Sequence, residues 1–209
     1  MVKGMSRKNS MLKPSQLQPL TLLEIIYEEK PHRQLYFLKE ARNYFLSYKA
    51  QNNVIISGII LFITEVLNHS IKEEEANPQL FDFIEKIIIK LETIEENIAF
   101  LPIWFLIRLS SFLGITPLNN YNSETITFNM EEGKFQESFP ERNVYITGEN
   151  VEILSLLIKA FSASDYFVPN IQISDKSVII DILLQYYHQH LPGFSEIHTH
   201  KILKEILYY

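Results

Sequence analysis

Four histidines near the end of the chain have the residue type and the regular spacing that could hold a metal ion. They are His188 and His190, then His198 and His200, two His-x-His pairs ten residues apart. On a helix, residues i and i+2 point to different sides, so each pair separates its imidazoles. No carboxylate stands at His-Glu-x-x-His spacing. The chain has no cysteine, which removes thiolate ligands, cysteine nucleophiles and disulfides together and fits a reducing compartment. We expect no metal site and no cofactor. The histidines are then surface residues, or His190 packs against the Pro192-Gly193 break. No phosphate-binding glycine loop and no Gly-x-Ser-x-Gly elbow occurs, and the many carboxylates fall on helix faces that water should solvate. The chain reads as a protein that is not an enzyme.

Arg108 stands out for a different reason: it sits in the most apolar stretch of the sequence. A guanidinium placed there needs a carboxylate or another anion. Within the chain the candidates are Glu65, Glu95 and Glu96. The remaining charge is segregated. Residues 1–50 hold nine Lys/Arg against four acids, and residues 51–209 hold ten against 21, so a net charge of −6 divides into a basic leader and an acidic body. Such a leader either faces an anion or is a basic tail without a partner.

The elements that must position these groups follow from periodicity. Residues 19–28 and 33–41 are apolar runs joined by Glu28-Glu29-Lys30-Pro31-His32. Pro31 interrupts a helix, so two strands are expected. From about Asn52 the period changes to three and four residues, with Ile56, Ile59, Ile60, Ile63, Val66 and Leu67 on one face and an end at Glu73–Glu75. Asn77 caps a second helix with Pro78 in its first turn and a stripe of Leu80, Ile84, Ile87, Ile88 and Leu91. Residues 98–113 are apolar almost all round and mark a central helix, ended by Gly114 and kept from resuming by Pro117. Thr125–Phe128 and Lys134–Gln136 flank Glu131-Glu132-Gly133 as a hairpin. Helices return near Thr147 (Val151, Leu154, Ile158, Phe161), after a Ser174 or Asp175 cap (Val178, Ile182, Leu183, Tyr186), and from about Thr199. The two longest apolar runs, 54–67 and 98–113, carry polar breaks and fall short of the roughly 20 residues a membrane span needs. The basic leader lacks the apolar region of a secretory signal. The expected fold class is mainly α (α+β), about six helices with a small inserted hairpin behind a short β region.

Phe62-Ile63-Thr64-Glu65-Val66-Leu67, the acidic-to-aromatic stretch from Glu73 to Phe83, the Leu113-Gly114-Ile115-Thr116-Pro117 stop and the closing Tyr187…His190-Leu191-Pro192-Gly193 occur in one order. That ordered set resembles the RecO family of bacterial recombination mediators. Val2-Lys3-Gly4, Leu20–Tyr27 and Leu35–Ala41 are similar to the third, fourth and fifth strands of that family's OB-fold. The resemblance implies a partial OB-fold over 1–47, the last strands of the barrel. It implies a helical domain over 48–209 with an inserted hairpin at about 118–143. The sequence departs from the family pattern by starting late, with roughly thirty residues of a five-stranded barrel missing. It also has no cysteine in the insertion, where some members carry zinc.

The function implied by the resemblance is DNA repair in the cytoplasm. The protein would bind single-stranded DNA and single-stranded DNA-binding protein, anneal strands and, with RecR, help load RecA. Lys3, Arg7, Lys8, Lys13 and Arg33 would meet phosphates. Tyr27, Tyr36 and Phe37 are candidate base-stacking platforms, although strand aromatics ordinarily fill a core. Arg108 would rim an apolar groove for the acidic tail of single-stranded DNA-binding protein. The alternative is a helical protein–protein adaptor that does not bind DNA because its barrel is incomplete.

Overall fold

The computed structural model describes residues 13–28, 37–72, 76–139, 144–162, 166, 171, 173 and 176–208. A 3₁₀ turn, Pro14–Leu17, leads into an antiparallel hairpin of β1 (Leu22–Glu28) and β2 (Phe37–Phe45). The two predicted strands are therefore present, with the second running four residues further than expected. The predicted cap at Ser174 or Asp175, the acidic run 73–75 and the Pro31 junction lie outside the described residues.

The helical body follows as α1 (Lys49–Asn52), α2 (Val54–Ser70), α3 (Pro78–Thr93), α4 (Leu101–Phe112), α5 (Glu149–Phe161), α6 (Lys176–His190) and α7 (Thr199–Leu207). The single-turn α1 is the addition to the expected set. Asn53 starts α2 by accepting hydrogen bonds from the N–H groups of Ile55 (3.0 Å) and Ile56 (3.2 Å). Asn77 does the same for Leu80 (3.0 Å), with Pro78 pre-set in the first turn of α3. α2 stops at Ser70, short of the acidic run.

α4 is the axis of the body. A 3₁₀ turn, Ile98–Phe100, feeds it, and it packs on α2, α5 and α6. Leu101, Ile103, Phe105, Leu106 and Leu109 are completely buried. Each such side chain stabilises the fold by roughly 1.5–3 kcal/mol relative to exposure. Gly114, at φ +70, ends the helix. The Ile115 N–H donates to Ser110 (2.9 Å) and the Gly114 N–H to Ser111 (3.4 Å), so the last carbonyls are satisfied in a Schellman arrangement.

The insertion is a three-stranded sheet, not a hairpin alone. β3 (Thr127–Asn129) lies between β4 (Lys134–Gln136) and β5 (Tyr145–Thr147). Three residues give too little alternation to announce β5 in the sequence. Buried Phe128 and Phe135 pack at 4.9 Å, and Phe128 meets Tyr186 of α6 at 5.9 Å. Tyr186 donates to the Ile115 carbonyl (2.9 Å), and the neighbouring Tyr187, fully buried, donates to the Leu106 carbonyl inside α4 (2.6 Å). Burial pushes the Tyr186 hydroxyl pKa up to about 12 and that of Tyr187 well above its usual value, so both remain donors. Val178, placed by the sequence on the buried stripe of α6, is exposed; Ile179 and Ile180 take the core positions instead.

Candidate functional site

The hairpin carries the first set of predicted residues. Its two strand cations are paired across the ladder: Lys39 with Glu28 (2.7 Å) and Arg42 with Glu24 through both Nη2 (2.7 Å) and Nε (2.8 Å). Lys13 is exposed where the described chain begins, its backbone N–H donating to Gln16 Oε1 (2.9 Å). Lys3, Arg7, Lys8 and Arg33 lie outside the described residues, as does Tyr36. Tyr27 and Phe37 are 55% and 40% exposed, so the ordinary core role of a strand aromatic is not what these two adopt.

Arg108 has none of the three expected carboxylate partners. Its Nη1 donates to the carbonyl of Ser162 (2.6 Å), at the C-terminal end of α5, and its guanidinium carbon lies 5.9 Å from the Phe112 ring centre. Its Nε is buried with no acceptor among the described residues. The cause is position. The last carbonyls of a helix carry the negative end of its dipole and lack intrahelical partners, and Arg108 faces them. Glu65 is engaged elsewhere. It accepts from the N–H of His198 (3.0 Å) and from the N–H and hydroxyl of Thr199 (2.8 and 2.5 Å) at the start of α7. Partial burial by itself would raise the Glu65 pKa, but these hydrogen bonds and the nearby His198 outweigh it and hold the carboxyl below its usual range.

Arg108 belongs to a stripe. Phe100, Trp104, Arg108 and Phe112 recur every four residues along one side of α4 and the turn before it. Phe83 of α3 packs against both Trp104 (5.3 Å) and Phe112 (5.1 Å), and Tyr166 meets Trp104 edge-on at 5.4 Å. Tyr166 is anchored by its hydroxyl on the Asn97 carbonyl (2.7 Å), and burial raises that hydroxyl's pKa. Two more cations sit over these rings: Lys90 5.9 Å from the Tyr166 centroid and Lys176 4.9 Å from that of Phe100. The four-residue spacing was available in the sequence. Lys90, Tyr166 and Lys176 join only through tertiary packing and carried no local signal.

The histidines do not converge. The His190 ring donates from Nε2 to the Met130 carbonyl (2.8 Å) and stacks on Tyr186, which ties α6 to the inserted sheet and not to the Pro192-Gly193 break. The His200 Nδ1 bonds the Ile197 carbonyl. Among the described residues no three His, Asp or Glu side chains are placed to hold a metal ion. His188 and His200 line a cavity of about 380 Å³ whose carboxylates are already paired, Asp181 with Lys204 (2.6 Å) and Glu196 with Lys201 (3.0 Å). A second cavity of about 490 Å³ lies between the hairpin and α2, bordered by Leu46, Ile60 and Leu61. Among the described residues no helix is long and apolar enough to cross a membrane.

A β-hairpin on a helical trunk, with a small sheet inserted behind a central apolar helix and a cation set into that helix, defines a mainly helical scaffold. Residues 51–196 match the family described as Recombination protein O C terminal. The DNA repair protein RecO of Azobacteroides pseudotrichonymphae is 32% identical over 200 residues, which cover 96% of this chain and 83% of that protein. RecO of Christiangramia forsetii is 32% identical over 209 residues (99% and 85%), and RecO of Flavobacterium psychrophilum 31% over 202 residues (96% and 82%). The chain belongs to the RecO family, a family of recombination proteins and not of enzymes.

Proposed function

We propose that this chain is a recombination mediator in DNA repair, working in the cytoplasm. Its basic leader (Lys3, Arg7, Lys8, Lys13, Arg33) contacts the phosphates of single-stranded DNA. The helical body takes the acidic tail of single-stranded DNA-binding protein at Arg108, and with RecR the protein assists RecA loading. Residues 1–47 supply the last strands of an OB-fold, and residues 48–209 form the docking domain. The observation that carries this reading is Arg108: a guanidinium set among aromatic rings with a carbonyl but no carboxylate within ion-pair distance among the described residues. The unmet half of its charge suits the carboxylates of a peptide tail.

Fluorescence anisotropy with a labelled oligothymidylate tests the DNA half. Five phosphate contacts on a single strand give a log–log salt slope of about −3.5, so affinity should fall roughly a hundredfold between 50 and 200 mM salt. Absence of binding at the lower salt refutes DNA contact by this chain. It would favour the second reading, a helical adaptor, which one observation supports: both strand cations of the hairpin, Lys39 and Arg42, are already neutralised. The tail half is tested by titrating a peptide from the end of single-stranded DNA-binding protein against wild type and Arg108→Ala; equal affinity removes Arg108 from the proposal.

A further inference from the structure

We propose that the β-hairpin is hinged on the trunk at residues 46–48, swings to close the cavity between them, and is held in its open posture by one carboxylate, that of Glu92 on α3. The hinge is independent of what the leader or the body binds.

Three observations lead there. The first is how little of the hairpin belongs to the main core. Every buried residue of that core lies at Ile56 or later, and among the described residues of the leader only Leu20 packs against it from outside. The hairpin's side chains bond instead to one another: Gln16 donates to Asn43 (3.1 Å), and Arg42 and Lys39 pair with Glu24 and Glu28. A unit held mainly by its own bonds can turn as a body about the few residues that join it. The second is the joint. β2 ends at Phe45, and the single-turn α1 begins at Lys49 with no side-chain cap from Tyr48. Glu92 supplies the cap from α3. Its carboxylate accepts from the Ser47 hydroxyl (2.7 Å) and, through both oxygens, from the Lys49 N–H (3.2 Å each). α1 itself is fastened to α2, the Ser57 hydroxyl donating to the Ala50 carbonyl (2.7 Å). Rotation is thereby confined to Leu46–Tyr48, and Glu92 grips the middle of that segment. The third is the cavity. Leu20, Phe45 and Leu46 on the side of the hairpin face Ile60, Leu61 and Ile88 on the trunk across about 490 Å³. Leu46 is 63% exposed and Leu61 43%. Closing buries apolar surface on both walls, a direction the hydrophobic effect favours. The two tendencies oppose each other: apolar walls draw together, and a carboxylate with charge-assisted hydrogen bonds holds them apart. A fold with two such postures shifts between them with any ligand that prefers one. Whatever the hairpin meets is then presented to the trunk at an angle that Glu92 sets.

The test is a distance measurement. The chain has no cysteine, so two introduced ones carry spin labels without background. Glu40→Cys on β2 and Lys86→Cys on α3 serve, both being exposed. Double electron–electron resonance on the labelled, otherwise wild-type protein should give one principal distance. Adding Glu92→Ala should produce a second, shorter distance, at least about threefold more populated than the same distance in wild type. Ser47→Ala, which removes one hydrogen bond and no charge, should move the population in the same direction by less. Leu61→Gln on top of Glu92→Ala puts a polar group in the closing wall and should return the population toward the longer distance. A lowered melting temperature with unchanged distances in Glu92→Ala means that the carboxylate only stabilises α1, and the latch is refuted. Broadening or lengthening without a shorter peak refutes closure. If Glu92→Ala fails to fold by circular dichroism, Ser47→Ala decides: distances identical to wild type overturn the proposal.

Discussion

Replacing Glu65 with Gln removes one negative charge from α2 and tests how the last helix is held. His198 starts α7 without a side-chain cap of its own. Glu65 supplies that cap from another helix, through three accepted hydrogen bonds. Glutamine keeps the length and one acceptor oxygen, so at least one of the three donors loses its partner, and the charge that favours a helix N-terminus disappears. A hydrogen bond to a charged group contributes about 1.5–3 kcal/mol net, and the dipole term adds about 0.3–1. Allowing for the exposure of the site and for the remaining acceptor, the expected loss is about 1.5 kcal/mol. For a chain of this size, about 2–4 °C of Tm accompanies each kcal/mol, so a drop of about 3–6 °C is expected by calorimetry at pH 7. The pH dependence fixes the mechanism. The Glu65 pKa is lowered in the fold from its ordinary value of 4.5, so the unfolded state binds its proton first. The contribution is complete above that value and is lost as pH falls through the lower, folded value. The gap between wild type and variant should therefore narrow below pH 4.5. An unchanged Tm at pH 7, or a gap that persists undiminished at pH 3, refutes the capping argument. Amide exchange in α7 should accelerate in the variant while that in α4 does not.

Tyr187→Phe removes a buried hydroxyl whose acceptor, the Leu106 carbonyl, is already part of α4; it should cost about 1 kcal/mol in urea denaturation without altering peptide binding. Gly133→Ala should cost about 2 kcal/mol or more by the same assay. The position has φ +63, and an added Cβ would meet the Tyr186 hydroxyl at 2.5 Å, so it strains the turn and pushes on the hydroxyl that holds Ile115.

Much of the helical body was legible because its signals are local. Asn77 marks a helix start through a bond to a residue three positions on, Pro78 through its fixed backbone angle in the first turn, and Gly114 marks a stop through its own backbone angle. The four residues placed on the α5 stripe, Val151, Leu154, Ile158 and Phe161, are all buried, and Ile153 and Leu157 are buried beside them. What failed was non-local. β5 is three residues long and exists because β3 is there to pair with it. Arg108 was assigned a carboxylate because a buried guanidinium ordinarily takes one; the α5 carbonyl end that it meets instead is 54 residues away. His190 was expected either at the surface or against the adjacent Pro-Gly break, but its partner is Met130, 60 residues earlier. The family resemblance covered most of the chain because ordered local motifs survive divergence better than contact pairs can be inferred from one sequence.

The position of Arg108 follows from how the body is packed. α4 is enclosed on most sides, and Tyr187 reaches one of its carbonyls from α6. A helix so enclosed has little open surface, and a charge on it is tolerated only where that surface remains. Arg108 occupies such a position, beside the carbonyl end of α5, which offsets part of the cost of its partial burial. The rings around it are there to fill the space between α3 and α4; Phe83 touches Trp104 and Phe112 at once. The rigidity of the stripe is thus a by-product of core packing, and a cation resting on a rigid ring loses little side-chain entropy when an anion arrives. Packing that stabilises the trunk therefore also decides where a charge can stand on its most apolar helix.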